Sequence, residues 1–224
     1  MPARDTQEIV ALCRRRGIPL IEDASEAHGA SIGHRPVGSF GDVSVFSCRS
    51  EKLISGGQLG LLVTDDAQVA RRARQWGESG LPAHSVRYWS SVPGMNFQPS
   101  HLNAALACAQ LERLPELVEA RRRRHRGWRE RLEKLPGIHF QGDPHGGAVF
   151  WLTGIVLEET FTRMLPQDLG IALLERGIES RCAFYPLGAL PHTVTGMVEP
   201  WPVSENLLRR LLVLPSGAGI DDAA

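Results

Sequence analysis

The sequence predicts an α/β layer followed by a smaller second α/β unit, on three observations. Short apolar runs bounded by glycine or aspartate alternate with amphipathic helical stretches. A strongly helical segment over about 100–135 follows them, and after Pro136 short strands and helices resume in β-α-β order. A chain of 224 residues is long enough to bury such sheets without staples.

From Thr6 to Arg16 the apolar residues Ile9, Val10, Leu12 and Cys13 recur at helical spacing, and Gly17 stops the helix before the strand IPLIED. The runs VSVFSC (43–48) and GLLVT (60–64) read as two further strands. Ala67 to Trp76 forms a charged amphipathic helix, and the glycine, serine and proline of 77–94 mark a long loop. The helical segment from Ser100 to Leu135 bends near Pro115. It carries Leu102, Ala105, Leu106 and Leu111 on one face and the run RRRR (121–124) on another. With Glu116, Glu119 and Glu130 nearby, that run reads as a solvated helix face rather than a nucleic-acid patch. Beyond Pro136 come AVFWLTGIVL, PQDLGIALLERG, IESRCAFYP and SENLLRRLLVLP. The domain expectation is therefore a large-domain part over 1–115, a connecting helix over 116–135 and a small domain over 136–224.

Composition removes several classes of function. Twenty-five basic and 25 acidic side chains cancel, which argues against nucleic acid as a partner and for a small neutral or anionic substrate. Cys13, Cys48, Cys108 and Cys182 form no CxxC pair and have no histidine at ligand spacing, so neither a zinc site nor a disulfide framework is expected. A reducing cytoplasm is the simplest compartment. No apolar stretch approaches the ~18 residues of a membrane span, and the first residues hold no apolar leader core.

Asp23 ends a predicted strand, where open α/β sheets place their ligand crevices. Lys52 stands just past a second strand, ahead of the flexible ISGGQLG, and a lysine in such a crevice can lose its charge and attack carbonyls. His28 and His34 read as loop histidines, since nothing near them in the sequence completes a triad or a metal set.

The run Glu22-Asp23-Ala24, then Gly33, Val37, Gly38, Gly41 and Asp42, then Phe46-Ser47 with Lys52 five positions on, then Gly57 and Gly60, resembles the DegT/DnrJ/StrS family of sugar and aminocyclitol aminotransferases. The likeness continues through Asn96-Phe97, HLNAALACAQLERL, ALLERGIESRCAFYP and WPVSENLLRRLLVLP, so it spans essentially the whole chain. It implies the pyridoxal-phosphate transferase fold of type I, with a partial three-layer α/β/α large domain and a small C-terminal α/β domain. It implies pyridoxal 5′-phosphate held by Lys52 as a Schiff base, with Lys52 also the base that moves the substrate proton. By the same resemblance Asp23 pairs with the pyridine nitrogen and Ser47 hydrogen-bonds the cofactor phosphate. Asn96 lies on the loop that in this family reaches the neighbouring subunit's cofactor.

The chain departs from the family pattern at four positions. Glu26 stands beside the ring and its phenolic oxygen, where relatives carry His or Gln, and a carboxylate there repels a phenolate or needs a proton. Gln58-Leu59 replaces Glu-Gly in the glycine turn, and Gln98 replaces a basic residue. Because Met1-Pro2-Ala3 leads directly into the first helix, the phosphate-cradling and ring-stacking parts that relatives carry upstream are expected to be missing.

The resemblance thus implies transfer of an amino group from glutamate or glutamine to a nucleotide-linked keto-sugar or a keto-cyclitol. The chain would work as a homodimer or with a complementing N-terminal polypeptide. A second reading is a truncated, inactive relative that survives as a partner-binding subunit.

Overall fold

A computed structural model describes residues 5–82, 88–143, 146–193 and 201–217. The centre of the predicted 77–94 loop, residues 83–87, lies outside them, as do the opening Met1-Pro2-Ala3 and the end of the chain. The chain divides into two compact units, one of 1–119 with 143–149 and the other of 120–142 with 150–224.

Unit 1 begins with α1 (Thr6–Arg16), closed by Gly17 in the left-handed conformation at φ 62°, which spares the strain a side chain would bring there. The strand β1 (Ile21–Asp23) follows, then a two-residue hairpin, β2 (Ser31–Ile32) and β3 (Arg35–Pro36). β4 (Val43–Ser47) and β5 (Gly60–Val63) complete the main sheet in the order β1-β4-β5. β1 runs parallel to β4 with Asp23 opposite Val45, whereas β5 is antiparallel with Gly60 opposite Ser47. The C-terminal ends of β1 and β4 therefore share one sheet edge, so Asp23 and Ser47 emerge on the same side.

Glu22 explains why this edge is well defined. Its carboxylate accepts from the backbone N–H groups of Gly38 (2.7 Å), Phe40 (2.9 Å) and Gly41 (3.2 Å), tying the loop before β4 to β1. Gly38 sits at φ 93°, and a Cβ there would lie 2.2 Å from Phe46 Cζ, so only glycine fits.

The remaining helices of this part are α2 (Ala67–Gly77), capped by the Asp66 side chain, and α3 (His101–Glu112), capped by Ser100. α4 (Leu114–Leu132) follows after a break at Arg113, with Pro115 in its first turn, where its missing N–H costs nothing. The first turns of α4 supply Leu114, Leu117 and Val118 to a core with Ala24, Ala27, Ala30, Leu53 and Val149. That core lies directly beneath the turn that follows Asp23.

In unit 2 the sheet is antiparallel throughout, in the order β6-β7-β9-β8, from β6 (Ile138–Phe140), β7 (Thr153–Leu157), β8 (Arg181–Cys182) and β9 (Leu211–Leu214). The helices α5 (Pro166–Leu174) and α6 (Pro202–Leu208) belong to it. Trp128 and Leu132 of α4 and Leu169 and Leu173 of α5 pack on Ile138, Ile155, Leu157, Leu212 and Leu214.

The arginine run does not behave as a uniformly solvated face. Arg123 is exposed, but Arg121 is buried and donates to the carbonyl oxygens of Trp151 (3.0 Å) and Ser216 and to Ser216 Oγ (3.2 Å). A charge run read by composition could not reveal that one of its members faces a chain segment some 95 positions away in sequence. Arg121→Ala leaves those acceptors buried without the donor and is expected to cost about 2–4 kcal/mol. Arg123→Ala, on the exposed side, is expected to stay within about 0.5 kcal/mol, and denaturant midpoints of the two variants compare them directly.

Candidate functional site

The site is built on the shared edge of β1 and β4. Asp23, the last residue of β1, accepts from the Ser25 backbone N–H (3.0 Å) and from Ser25 Oγ (2.5 Å). The Ser25 hydroxyl first, then its N–H and the positive charge of Lys52, hold the Asp23 carboxyl below its ordinary range, so it stays ionised. Both bonds use Oδ1.

Lys52 reaches the same edge from the segment after β4. A turn closed by Lys52 N–H on the Arg49 carbonyl (3.0 Å) turns the chain back, and the Cys48 backbone then binds both Leu59 (2.8 Å) and Gly56 (2.7 Å). The Lys52 side chain is only 9% exposed, and its Nζ donates to Glu26 Oε1 at 2.8 Å, whereas the Glu26 side chain is 52% exposed. Thus the amine is sheltered and its carboxylate partner faces solvent.

Ser47, at the end of β4, is half-buried, and its hydroxyl accepts weakly from the Arg49 N–H (3.4 Å). The structure brings Asp23, Glu26, Ser47 and Lys52 to one edge. Asn96 is placed elsewhere: it is exposed and its backbone bridges to Glu78, after α2.

Two contributors were not legible in the sequence. Asn103 of α3 donates from Nδ2 to the Gly56 carbonyl and so pins the glycine turn behind Lys52. Gly57 in that turn has φ 79°, and a Cβ there would sit 2.8 Å from Asn103 Nδ2. Leu59, the bulky replacement in this turn, is half-buried beside Gly56, so the turn accommodates it.

The second is His28, a loop histidine whose burial the sequence did not reveal. It lies in a turn but is buried, its ring centroid 5.2 Å from that of Phe46 and its Nε2 3.7 Å from Cys48 Sγ, while Nδ1 is buried without a partner. Burial, and then the charge of Lys52, push its pKa down to about 4. Burial also raises the Cys48 thiol, which stays protonated. The only signal in the sequence was position, five residues past Asp23.

His28 makes stability pH-dependent. The fold holds the ring neutral down to about pH 4, whereas an unfolded imidazole protonates near 6.5. Its contribution is complete above pH 6.5 and drains as pH falls toward 4, to a total of about 3 kcal/mol. A His28→Gln variant is expected to flatten that stretch of the stability–pH curve, measured by urea unfolding at each pH.

Among the described residues no cluster of His, Cys, Asp or Glu could hold a metal ion, and no helix is long and apolar enough to cross a membrane. The donor set suits an organic aldehyde that carries a basic ring nitrogen: a primary amine, an ionised carboxylate and a hydroxyl at strand ends. Pyridoxal phosphate has those features, so the residues present fit it.

The sequence matches the model of the DegT/DnrJ/EryC1/StrS aminotransferase family over residues 2–224. It is 34% identical over 223 residues to a GDP-perosamine synthase of Vibrio cholerae, covering 98% of this chain and 60% of that protein. It is 33% identical over 225 residues to a putative pyridoxal phosphate-dependent aminotransferase, EpsN, of Bacillus subtilis strain 168, covering 96% and 56%. Among solved structures it is similar to DesI, crystallised in the presence of its TDP-sugar product, with a TM-score of 0.85 at 30% identity, covering 99% of this chain and 56% of the other. The chain therefore spans somewhat under two thirds of the length of these relatives.

Proposed function

Because this chain belongs to the DegT/DnrJ/EryC1/StrS aminotransferase family, we propose that it takes part in pyridoxal-phosphate-dependent transfer of an amino group from glutamate or glutamine to a keto-sugar carried on a nucleotide or to a keto-cyclitol. The observation that carries the reading is the convergence of Asp23 and Lys52 at one sheet edge, with Lys52 sheltered and Asp23 held ionised.

Bound pyridoxal phosphate supplies an aldehyde to the amine and a protonated ring that takes up the electron pair left when a substrate proton departs. Lys52 Nζ is the group that holds the aldehyde carbon and, once released, moves the proton at the substrate carbon. The Asp23 carboxylate would accept the ring N–H of bound pyridoxal phosphate and keep that nitrogen protonated. The Ser47 hydroxyl donates to a phosphate oxygen, and Asn96 is assigned to the phosphate held by a neighbouring subunit. Glu26, paired with Lys52 Nζ, would stand near the ring of the bound cofactor.

We read 1–115 as part of the cofactor domain, 116–135 as the connecting helix and 136–224 as the small domain, working in a homodimer or with a complementing polypeptide. The exposed apolar Ile21 on the edge strand β1, 70% exposed, supports a covering partner and equally favours the second reading, a non-catalytic partner-binding subunit.

The test is to add pyridoxal phosphate to the purified chain, reduce with borohydride and map the adduct by peptide mass spectrometry. A single adduct at Lys52 is expected. Labelling at Lys134, the only other lysine in the sequence, in place of Lys52, or no labelling, would remove the enzyme reading and leave the partner-binding one.

A further inference from the structure

The helix α3 is turned the opposite way from one held by hydrophobic packing. Its leucines face out, Leu102 at 83%, Leu106 at 47% and Leu111 at 39% exposed. Its only residues that are not exposed are Asn103, Ala104, Ala107 and Gln110. Of these, Asn103, Ala107 and Gln110 stand at i, i+4 and i+7, a single stripe of the helix surface. That small and polar stripe meets the backbone of Ser55-Gly56-Gly57, three positions beyond Lys52. Asn103 Nδ2 donates to the Gly56 carbonyl, and the Ser55 N–H reaches Gln110 Oε1 at 3.5 Å. The approach leaves little room for a side chain, since a Cβ on Gly56 would lie 3.0 Å from the Asn103 carbonyl oxygen and 3.2 Å from Ala107 Cβ. Asn103 is itself fixed: its Oδ1 accepts from the Ser100 hydroxyl, which accepts in turn from the Asn103 N–H at 3.2 Å.

We infer that Asn103 is a positioning residue for Lys52, acting through the Gly56 turn to set where the amine stands relative to Asp23. The inference rests on the reading of Lys52 as the cofactor-binding amine. Residues 49–55 form a loop closed on itself at the end of β4, with the Gly56 N–H on the Cys48 carbonyl (2.7 Å) and the Lys52 N–H on the Arg49 carbonyl (3.0 Å). Leu53 and Ile54 are buried under it. Thus β4 anchors one side of the loop and α3 the other. Asp23 is already fixed by the pairing of β1 with β4, so any slack in the loop becomes an error in the spacing between Asp23 and Lys52. A ligand that must engage both groups at once is sensitive to such an error, and a misplacement of about 1 Å costs up to about 10²-fold in rate. The hydrogen bond from Asn103 removes that slack on the side that β4 does not reach.

The chain has two lysines, and the second, Lys134, is exposed and belongs to the other unit, so it serves as an internal reference. Pyridoxal phosphate is added to the wild-type chain, Asn103→Ala, Asn103→Asp and Val10→Ala. Borohydride traps the adducts after short exposures, and peptide mass spectrometry gives the labelling rate at Lys52 divided by that at Lys134. Asn103→Asp keeps the size of the side chain and an acceptor for Ser100 but has no N–H for Gly56. Val10→Ala opens the separate core of Val10, Ile32 and Phe40 and so controls for general loosening. Amide exchange over 48–59 is followed in parallel. Both Asn103 variants are expected to lower the ratio about ten-fold and to speed exchange of the Lys52 and Gly56 N–H groups, with Val10→Ala close to wild type in both. An unchanged ratio in the Asn103 variants, or an equal fall in Val10→Ala, would overturn the positioning role while leaving Lys52 as the cofactor residue. If Lys52 takes no label in the wild-type chain, the functional reading fails, and exchange alone decides: faster exchange confined to the Asn103 variants upholds Asn103 as the hold on the Lys52 turn, and unchanged exchange overturns it.

Discussion

On the proposed aminotransferase reading, Lys52→Ala is expected to abolish the borohydride-trapped adduct at that position and to lower amino transfer by about 10⁴-fold or more. No other described side chain on that sheet edge offers a primary amine. Lys52→Arg separates chemistry from electrostatics. It keeps a cation that can pair with Glu26, but a guanidinium stays protonated and forms no imine, so labelling and transfer are lost just as completely. Stability should change little, by about 1 kcal/mol or less, because the partner carboxylate is half exposed and is rehydrated when the pair is lost. Mapping of the adduct together with thermal unfolding of both variants measures the two effects. Residual site-specific labelling in Lys52→Ala would show that another amine serves the pocket and would overturn the assignment.

The second large effect is at Asp23. Removing its charge in Asp23→Asn or Asp23→Ala is expected to weaken retention of pyridoxal phosphate by about 10–100-fold, the loss of one charge-assisted hydrogen bond, and to slow transfer by at least about 10²-fold. Because the Ser25 hydroxyl and N–H hold this carboxyl below its ordinary range, the wild-type residue is ionised throughout the neutral region. The proposed role is therefore lost only as pH falls below the usual carboxylate range. Cofactor dissociation followed by absorbance, alongside single-turnover transfer, gives the comparison. Asp23→Asn binding the cofactor as tightly as wild type would mean that the ring nitrogen is held by some other group.

Much of the local structure was legible because it depends on neighbours in the chain. The helical spacing of Ile9, Val10 and Leu12 and the stop at Gly17 match α1 to its last turn, since a left-handed cap there is a property of glycine itself. The strands at 43–47 and 60–63 and the helix from Ala67 follow the apolar runs and the amphipathic spacing for the same reason. Elements too short to carry a period were not legible. The β2–β3 hairpin offers two residues a side, and β6 has three, so its apolar alternation is indistinguishable from loop.

The sequence by itself determined the order of chemically distinctive residues along the chain: an acid ending one strand, a hydroxyl ending the next, and a lysine five positions beyond it. That order was enough to place the chain in its family and to name Asp23, Ser47 and Lys52 as candidates. Tertiary structure alone decided which side chains meet. It put Glu26 against Lys52, sank His28 beside Cys48, turned Arg121 inward to Trp151 and Ser216, and set Glu22 as the clamp on the loop before β4. The physical reason is that periodicity and propensity act over a few residues. Desolvation and hydrogen-bond satisfaction are settled by whichever distant segment packs alongside, and a charge has no fixed meaning until that neighbour is known.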